Sequence, residues 1–222
     1  MCFSATASFS AGAVLSVIGI AALNKVKNES QLFFAGIPLL FALQQISEGT
    51  LWLALTYPSL AFLKIFTTHM FIFFAQVIWP VWVPYALYRI EKDRKRKKIH
   101  TILVGTGVIV AAYLGYCLWH YPLFASIGCN HIFYLQSYPE TFRNIGAVMY
   151  IIATIIPCFI STVKRMWLLA IAVLISYILA RIFYTEYTVS VWCFFASIIS
   201  IIIWMILKEH KTSDFPEQLH KA

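Results

Sequence analysis

The chain has 222 residues, 61% hydrophobic and 12% charged, with 17 Lys and Arg against 9 Asp and Glu and a formal net charge of +8. A soluble domain carries roughly 25% charged residues, so a water-soluble enzyme or binding module is excluded. The positive charge lies in short runs between long apolar stretches with no fold to present it to nucleic acid, so nucleic acid is not an expected partner.

A transmembrane helix needs roughly 20 mostly apolar residues. Seven runs are read as spans: 8–24, 31–55, 60–88, 100–120, 144–163, 166–184 and 188–207. The expected fold class is all-α, an integral membrane bundle of seven transmembrane helices. Residues 1–207 form that domain and 208–222 a cytoplasmic polar tail. Pro80 and Pro84 fall inside the third run, where each removes a backbone donor and invites a kink. No repeat of 20–50 residues marks a solenoid.

Charge orients the bundle. Lys25 and Lys27 follow the first run, "RIEKDRKRKKIH" the third, Lys164 and Arg165 the fifth, and Lys208 and Lys211 the seventh. The alternate connections are nearly free of Lys and Arg. The positive-inside rule then predicts the N-terminus outside and the tail inside, in what is expected to be a bacterial inner (plasma) membrane. The bilayer is the expected partner, with anionic lipid headgroups against the basic inner loop.

The opening stretch, "MCFSATASFSAGAV", has no basic residue before Lys25, unlike a secretory signal. Cys2 precedes the apolar run, whereas a lipoprotein cysteine follows one. Residues 2–7 are therefore expected at the outer face of the mature protein. Thr6 or Ser8 could cap the first helix. Gly12, Ser16 and Gly19 recur at i, i+4 and i+7, a stripe that lets another helix approach closely. If the segment folds inward, Cys2 meets the second and seventh spans near Glu48 and Cys193.

The motifs "MCFSATASF", "LLFALQQISEGTLWL", "WPVWVPYAL", "CNHIFY" and "SVWCFFAS" together resemble an uncharacterised family of small bacterial polytopic membrane proteins that open with Met-Cys-Phe-Ser-Ala-Thr-Ala. The resemblance implies a shared architecture and no activity. It also implies a histidine in many relatives where Gln44 stands here.

Placed on this topology, the polar residues gather in the outer half. Gln44, Gln45 and Glu48 share a face of the second span, His69 and Gln76 lie on the third, and Cys117 and His120 end the fourth. The long outer loop 121–143 carries Cys129 and His131. Arg181 lies near the outer end of the sixth span, and Ser190, Cys193, Ser197 and Ser200 stripe the seventh. An ionisable group at a helix centre costs at least about 2.5–3.5 kcal/mol and normally faces a partner or water. Glu48 and Arg181 are predicted at similar depth. One reading pairs them as a buried ion pair; the other makes Glu48 a general acid/base or ligand, with Arg181 orienting an anionic group.

Candidate catalytic residues are thus Glu48, His69 and Arg181. Cys2, Glu48, His69, His131 and Cys193 offer a mixed sulfur, nitrogen and oxygen ligand set for a zinc or copper ion. Cys2, Cys117, Cys129 and Cys193 are all predicted external and open to oxidation, a Cys2–Cys193 bridge included. Trp52 and Trp192 are interface aromatics or walls of a pocket near Glu48. The function expected is a membrane enzyme or sensor with an outward-facing polar pocket for a small molecule. The alternative is a transporter or permeation protein using Glu48 as a proton- or ion-coupled site.

Overall fold

The computed structural model describes residues 4–128, 130–185 and 187–213, with the backbone alone at 140–143, 193–194, 196–197 and 210–213. Helix α1 (Ala5–Leu23) starts at Ser4, whose hydroxyl accepts from the Ala7 N–H at 3.2 Å. Ser4 is therefore the cap, and Ser8 lies fully buried instead. A single turn, α2 (Leu32–Ala35), leads through Gly36 into α3 (Ile37–Thr56). Helix α4 (Lys64–Phe73) passes through a π turn at Phe74–Ile78 into α5 (Trp79–Ile90), which accommodates Pro80 and Pro84.

Helix α6 (Arg94–His120) has 27 residues, about 40 Å at 1.5 Å per residue, and Asp93 caps it by accepting from the Arg96 N–H at 2.8 Å. Then come β1 (Leu123–Gly128), β2 (His131–Gln136), α7 (Glu140–Ile160), α8 (Met166–Phe183), α9 (Thr188–Phe194) and α10 (Ala196–Ser213).

By length and composition, Ala5–Leu23, Glu29–Thr56, Pro58–Ile90, Arg94–His120 and Met166–Phe183 suffice to cross a membrane, and Asn144–Ile160 is a shorter apolar helix. The seventh predicted run is divided at Phe195 into α9 and α10. Helix α10 continues to Ser213, so the first residues of the predicted polar tail are helical.

The small residues of α1 do face a neighbour. A Cβ on Gly12 would lie 3.0 Å from Ile46, and one on Gly19 would lie 2.5 Å from Leu39. These contacts run in opposite order along the two helices, so α1 and α3 are antiparallel. The tightest approach is elsewhere: a Cβ on Gly107 of α6 would fall 1.8 Å from the Pro80 carbonyl oxygen of α5. Only glycine lets those two backbones meet. The main core joins α2, α5, α7, α8 and α10 through Phe34, Trp79, Leu87, Cys158, Met166, Leu169, Ile203 and Leu207.

The long loop expected between the fourth and fifth runs is a β-hairpin. β1 and β2 pair antiparallel with Gly128 opposite His131 and Leu123 opposite Gln136. That register leaves two residues for the turn, and Asn130 there has φ 60°, a left-handed conformation that Asn tolerates better than most residues. The bundle is helical, and its hairpin is the exception to an all-α reading.

Candidate functional site

Helix α3 places its polar side chains by helical period. Gln45, Glu48 and Trp52 fall on one face at i, i+3 and i+7, and all three are buried, Glu48 completely. The Ser190 hydroxyl of α9 donates to Glu48 Oε1 at 2.7 Å. On the adjacent face Gln44 Oε1 accepts from the Trp79 indole N–H at 2.8 Å, and Trp79 stacks on Phe41 with ring centroids 4.0 Å apart. That aromatic pair marks where the polar layer of α3 gives way to the apolar core. From α1, Phe9 packs directly on Gly49, where a Cβ would meet its ring at 3.0 Å.

The hairpin closes this end of the bundle. Ala125 and Ile132 join Leu51 and Trp52 in one apolar cluster, with Ala5, Leu55 and Tyr134 against it. Tyr134 stacks on Phe71 of α4 at 4.9 Å. The base of the hairpin is tied to the π turn, where Gln76 Nε2 donates to Gln136 Oε1 at 2.7 Å. Near the tip, His131 packs between Tyr184 and Tyr187, centroids 5.2 and 4.9 Å away. Tyr187 precedes α9, so one short segment holds both the hairpin tip and the serine that binds Glu48.

Three buried polar atoms near Glu48 have no hydrogen-bond partner among the described residues: Ser8 Oγ, Gln45 Nε2 and Trp52 Nε1. Native structures leave few such groups, and these three belong to the two helices that carry the site.

The other expected site residues fare differently. Arg181 is exposed on α8, and no ion pair joins it to the fully buried Glu48. Equal depth did not imply equal direction, because depth along a helix says nothing about which side faces the bundle. His69 is half-buried, and its Nδ1 bonds to the Ile65 carbonyl of its own helix at 2.8 Å. The π turn rotates Gln76 off the His69 face and toward the hairpin. His120 is exposed, with Nδ1 on the Tyr116 carbonyl at 3.0 Å.

Among the described residues no group of three or more His, Cys, Asp or Glu could hold a metal ion, so Glu48, His69 and His131 do not form a ligand set together. Cys2 and Cys129 lie outside the described residues, as does the side chain of Cys193. Cys117 and Cys158 are buried free thiols. Trp192 turns to α8, donating to Ser176 Oγ at 2.8 Å, whereas Trp52 does wall the Glu48 face.

At the other end of the bundle stands a cluster that the sequence reading missed. Glu91, between α5 and α6, is buried. Its Oε1 accepts from the N–H groups of Lys92 and Asp93 at 2.9 and 3.0 Å and from the Thr162 hydroxyl. Its Oε2 accepts from the Thr162 N–H at 2.8 Å and lies 3.8 Å from Nε2 of the buried His100. Burial alone would raise the Glu91 pKa, but the bonds from Thr162, Asp93 and Lys92 outweigh it and hold the carboxyl below its ordinary value. The carboxylate thereby ties the α5–α6 turn to the α7–α8 turn. Its only signal in sequence was a carboxylate inside a basic run.

Helices of this length and apolarity, enclosing a buried carboxyl under a hairpin, define a multi-pass membrane protein. The chain belongs to a family of unknown function, DUF6629, whose model matches residues 1–218. No curated protein and no solved structure matches it.

Proposed function

We propose that this is a seven-span protein of a bacterial plasma membrane, with the hairpin and N-terminus outside and the basic α5–α6 turn in the cytoplasm. In this reading Glu48 is the acid/base or proton-binding group of an enzyme or sensor site that opens outward beneath the hairpin. One observation carries it: a fully buried carboxyl, bonded by Ser190, lies at the hairpin end of the bundle, beyond its main apolar core. An ionisable side chain buried within a membrane span is by default a functional-site candidate. Basic connections at alternate loops support the orientation, and exposed Arg94, Lys95, Arg96 and Lys98 are positioned to meet anionic headgroups.

Two measurements test this. A lipophilic carbodiimide reacts with carboxyls protonated in apolar surroundings, so mass spectrometry should find its adduct on Glu48, and none at that position in Glu48→Gln. Labelling confined to water-exposed carboxyls sinks the reading. An impermeant thiol reagent on intact cells should modify a cysteine engineered at 137 and spare one at 94; the reverse pattern overturns the orientation. A metal role now rests on Cys2 and Cys193 joining Glu48 or His131, and metal analysis of the reduced, purified protein decides it.

A transporter remains the second reading, favoured by one feature. The seventh span breaks at Phe195, between α9 and α10 and five residues past Ser190, and broken helices beside polar groups are how many transporters hold their cargo. Proton flux across proteoliposomes that is lost in Glu48→Gln would select it.

A further inference from the structure

Of the buried polar atoms without partners, Ser8 Oγ, Gln45 Nε2 and Trp52 Nε1 share a location and a chemical sense. At 100° per residue, Gln45, Glu48 and Trp52 lie within an arc of about 60° on α3. Gln45 sits a turn to one side of Glu48 and Trp52 a turn to the other. Ser8 faces them from α1: Phe9 packs on Gly49 and Gly12 on Ile46, which sets Ser8 level with the Glu48 turn. Residues 8, 45, 48 and 52 are each more than nine-tenths buried.

The chemical sense is donation. An indole N–H and a carboxamide nitrogen can only donate, and a hydroxyl can donate. A cation offers the indole and the carboxamide nitrogen nothing. The partner they lack is an oxygen with lone pairs. The surroundings limit the rest of the molecule: Phe9 lies on one side, and Leu51, Ala125 and Ile132 close the Trp52 end.

We propose that the unmet donors of Ser8, Gln45 and Trp52, beside Glu48, bind the carbonyl or carboxylate oxygen of a small, mainly apolar molecule. Glu48, one turn from both Gln45 and Trp52, then faces the bound oxygen and can supply a proton to it. This names a substrate class for the site proposed above and rests on that reading. Two sources carry the chemistry, a free carboxylic acid or amide and the ester carbonyl of a membrane lipid.

The test uses the full-length protein in nanodiscs. Calorimetric titration with butyrate, butyramide and butylammonium should give binding of the first two and none of the third. Separately, a stability shift between nanodiscs of ester-linked and ether-linked lipid, lost in the variants below, identifies the lipid carbonyl as the source. Ser8→Ala, Gln45→Met and Trp52→Phe, each shown to be folded by its melting transition, should weaken binding by about three- to tenfold apiece.

Preference for butylammonium overturns the proposal. So does the absence of both butyrate or butyramide binding and an ester-to-ether difference. Carbodiimide labelling separates the two levels. If Glu48 is labelled and no oxygen-bearing probe binds, this inference fails and the proposed function stands. If Glu48 is not labelled, the proposed function itself has failed.

Discussion

Glu48 and Glu91 are both buried carboxyls, one beneath the hairpin and one at the basic turn, but their surroundings differ in kind. Glu91 accepts from three backbone N–H groups and a hydroxyl, so both its oxygens are bound. Those bonds join two turns and hold the group ionised. Glu48 accepts from the Ser190 side chain and sits among donors that have no partner. A carboxylate wrapped in backbone donors is a structural clamp, because removing it strands several N–H groups at once. A carboxyl beside unmet donors is, in the proposed reading, arranged for something that binds there. The difference lies in the neighbours' hydrogen-bond accounts rather than in depth or burial.

The largest effect that would break this comparison is on stability. Glu91→Leu leaves the N–H groups of Lys92, Asp93 and Thr162 without their acceptor and should cost about 3–5 kcal/mol. Glu48→Gln keeps an oxygen for Ser190 and should change stability by no more than about 1 kcal/mol. Thermal unfolding in detergent, followed by a fluorogenic thiol dye reaching buried Cys117 and Cys158, measures both. If Glu48→Gln proves the more damaging, the assignment of clamp and site is reversed.

Acid provides the next test. The folded-state pKa of Glu91 is lowered, so its contribution to stability is full above the unfolded-state carboxyl pKa. It is lost as pH falls through the folded value. The stability difference between the native protein and Glu91→Gln should therefore be greatest at neutral pH and shrink on acidification. A difference that grows on acidification would show that Glu91 is not held as the charged form.

What was legible in the sequence divides along the same line. Long apolar runs announce helices because a bilayer demands them, and a lone acid in such a run, Glu48, stands out. Glu91 and His100 could not be singled out, since the surrounding Arg and Lys of "RIEKDRKRKKIH" read as an ordinary solvated loop. The pairing of Glu91 with Thr162 depends on two distant turns meeting. Arg181 misled because its depth was inferred and its direction was not.

The hairpin was hidden by its brevity. Six-residue strands of mixed aromatic and aliphatic residues alternate too weakly to separate from loop, and only Asn130 after Cys129 marked the turn. That turn gives a smaller prediction. Asn130→Ala puts a residue that disfavours left-handed backbone at φ 60° and should cost about 1 kcal/mol. Asn130→Gly should be neutral. Equal effects of the two would mean that the side chain, not the backbone, matters there.

The smallest expected effect has the opposite sign and sharpens the comparison most. In a region built only for stability, deleting a buried polar group weakens the fold by removing a hydrogen bond. Ser8 and Gln45 each bury an atom that makes none, and an unmet buried donor carries a desolvation cost of about 1–3 kcal/mol. Ser8→Ala and Gln45→Met remove the donor with little change of shape, so without ligand each should leave the melting temperature unchanged or raise it, by up to about 1 kcal/mol of stability. The Ala exchange sits on α1 where the helix favours Ala, which adds to the gain. Thr162→Val at the basic turn, by contrast, removes a hydroxyl that does bond Glu91 and should lower stability. Gains on α1 and α3 with a loss at Thr162 would mean that the hairpin end keeps its polar groups for a ligand. Losses at all three would mean that Ser8 and Gln45 serve the fold as Thr162 does.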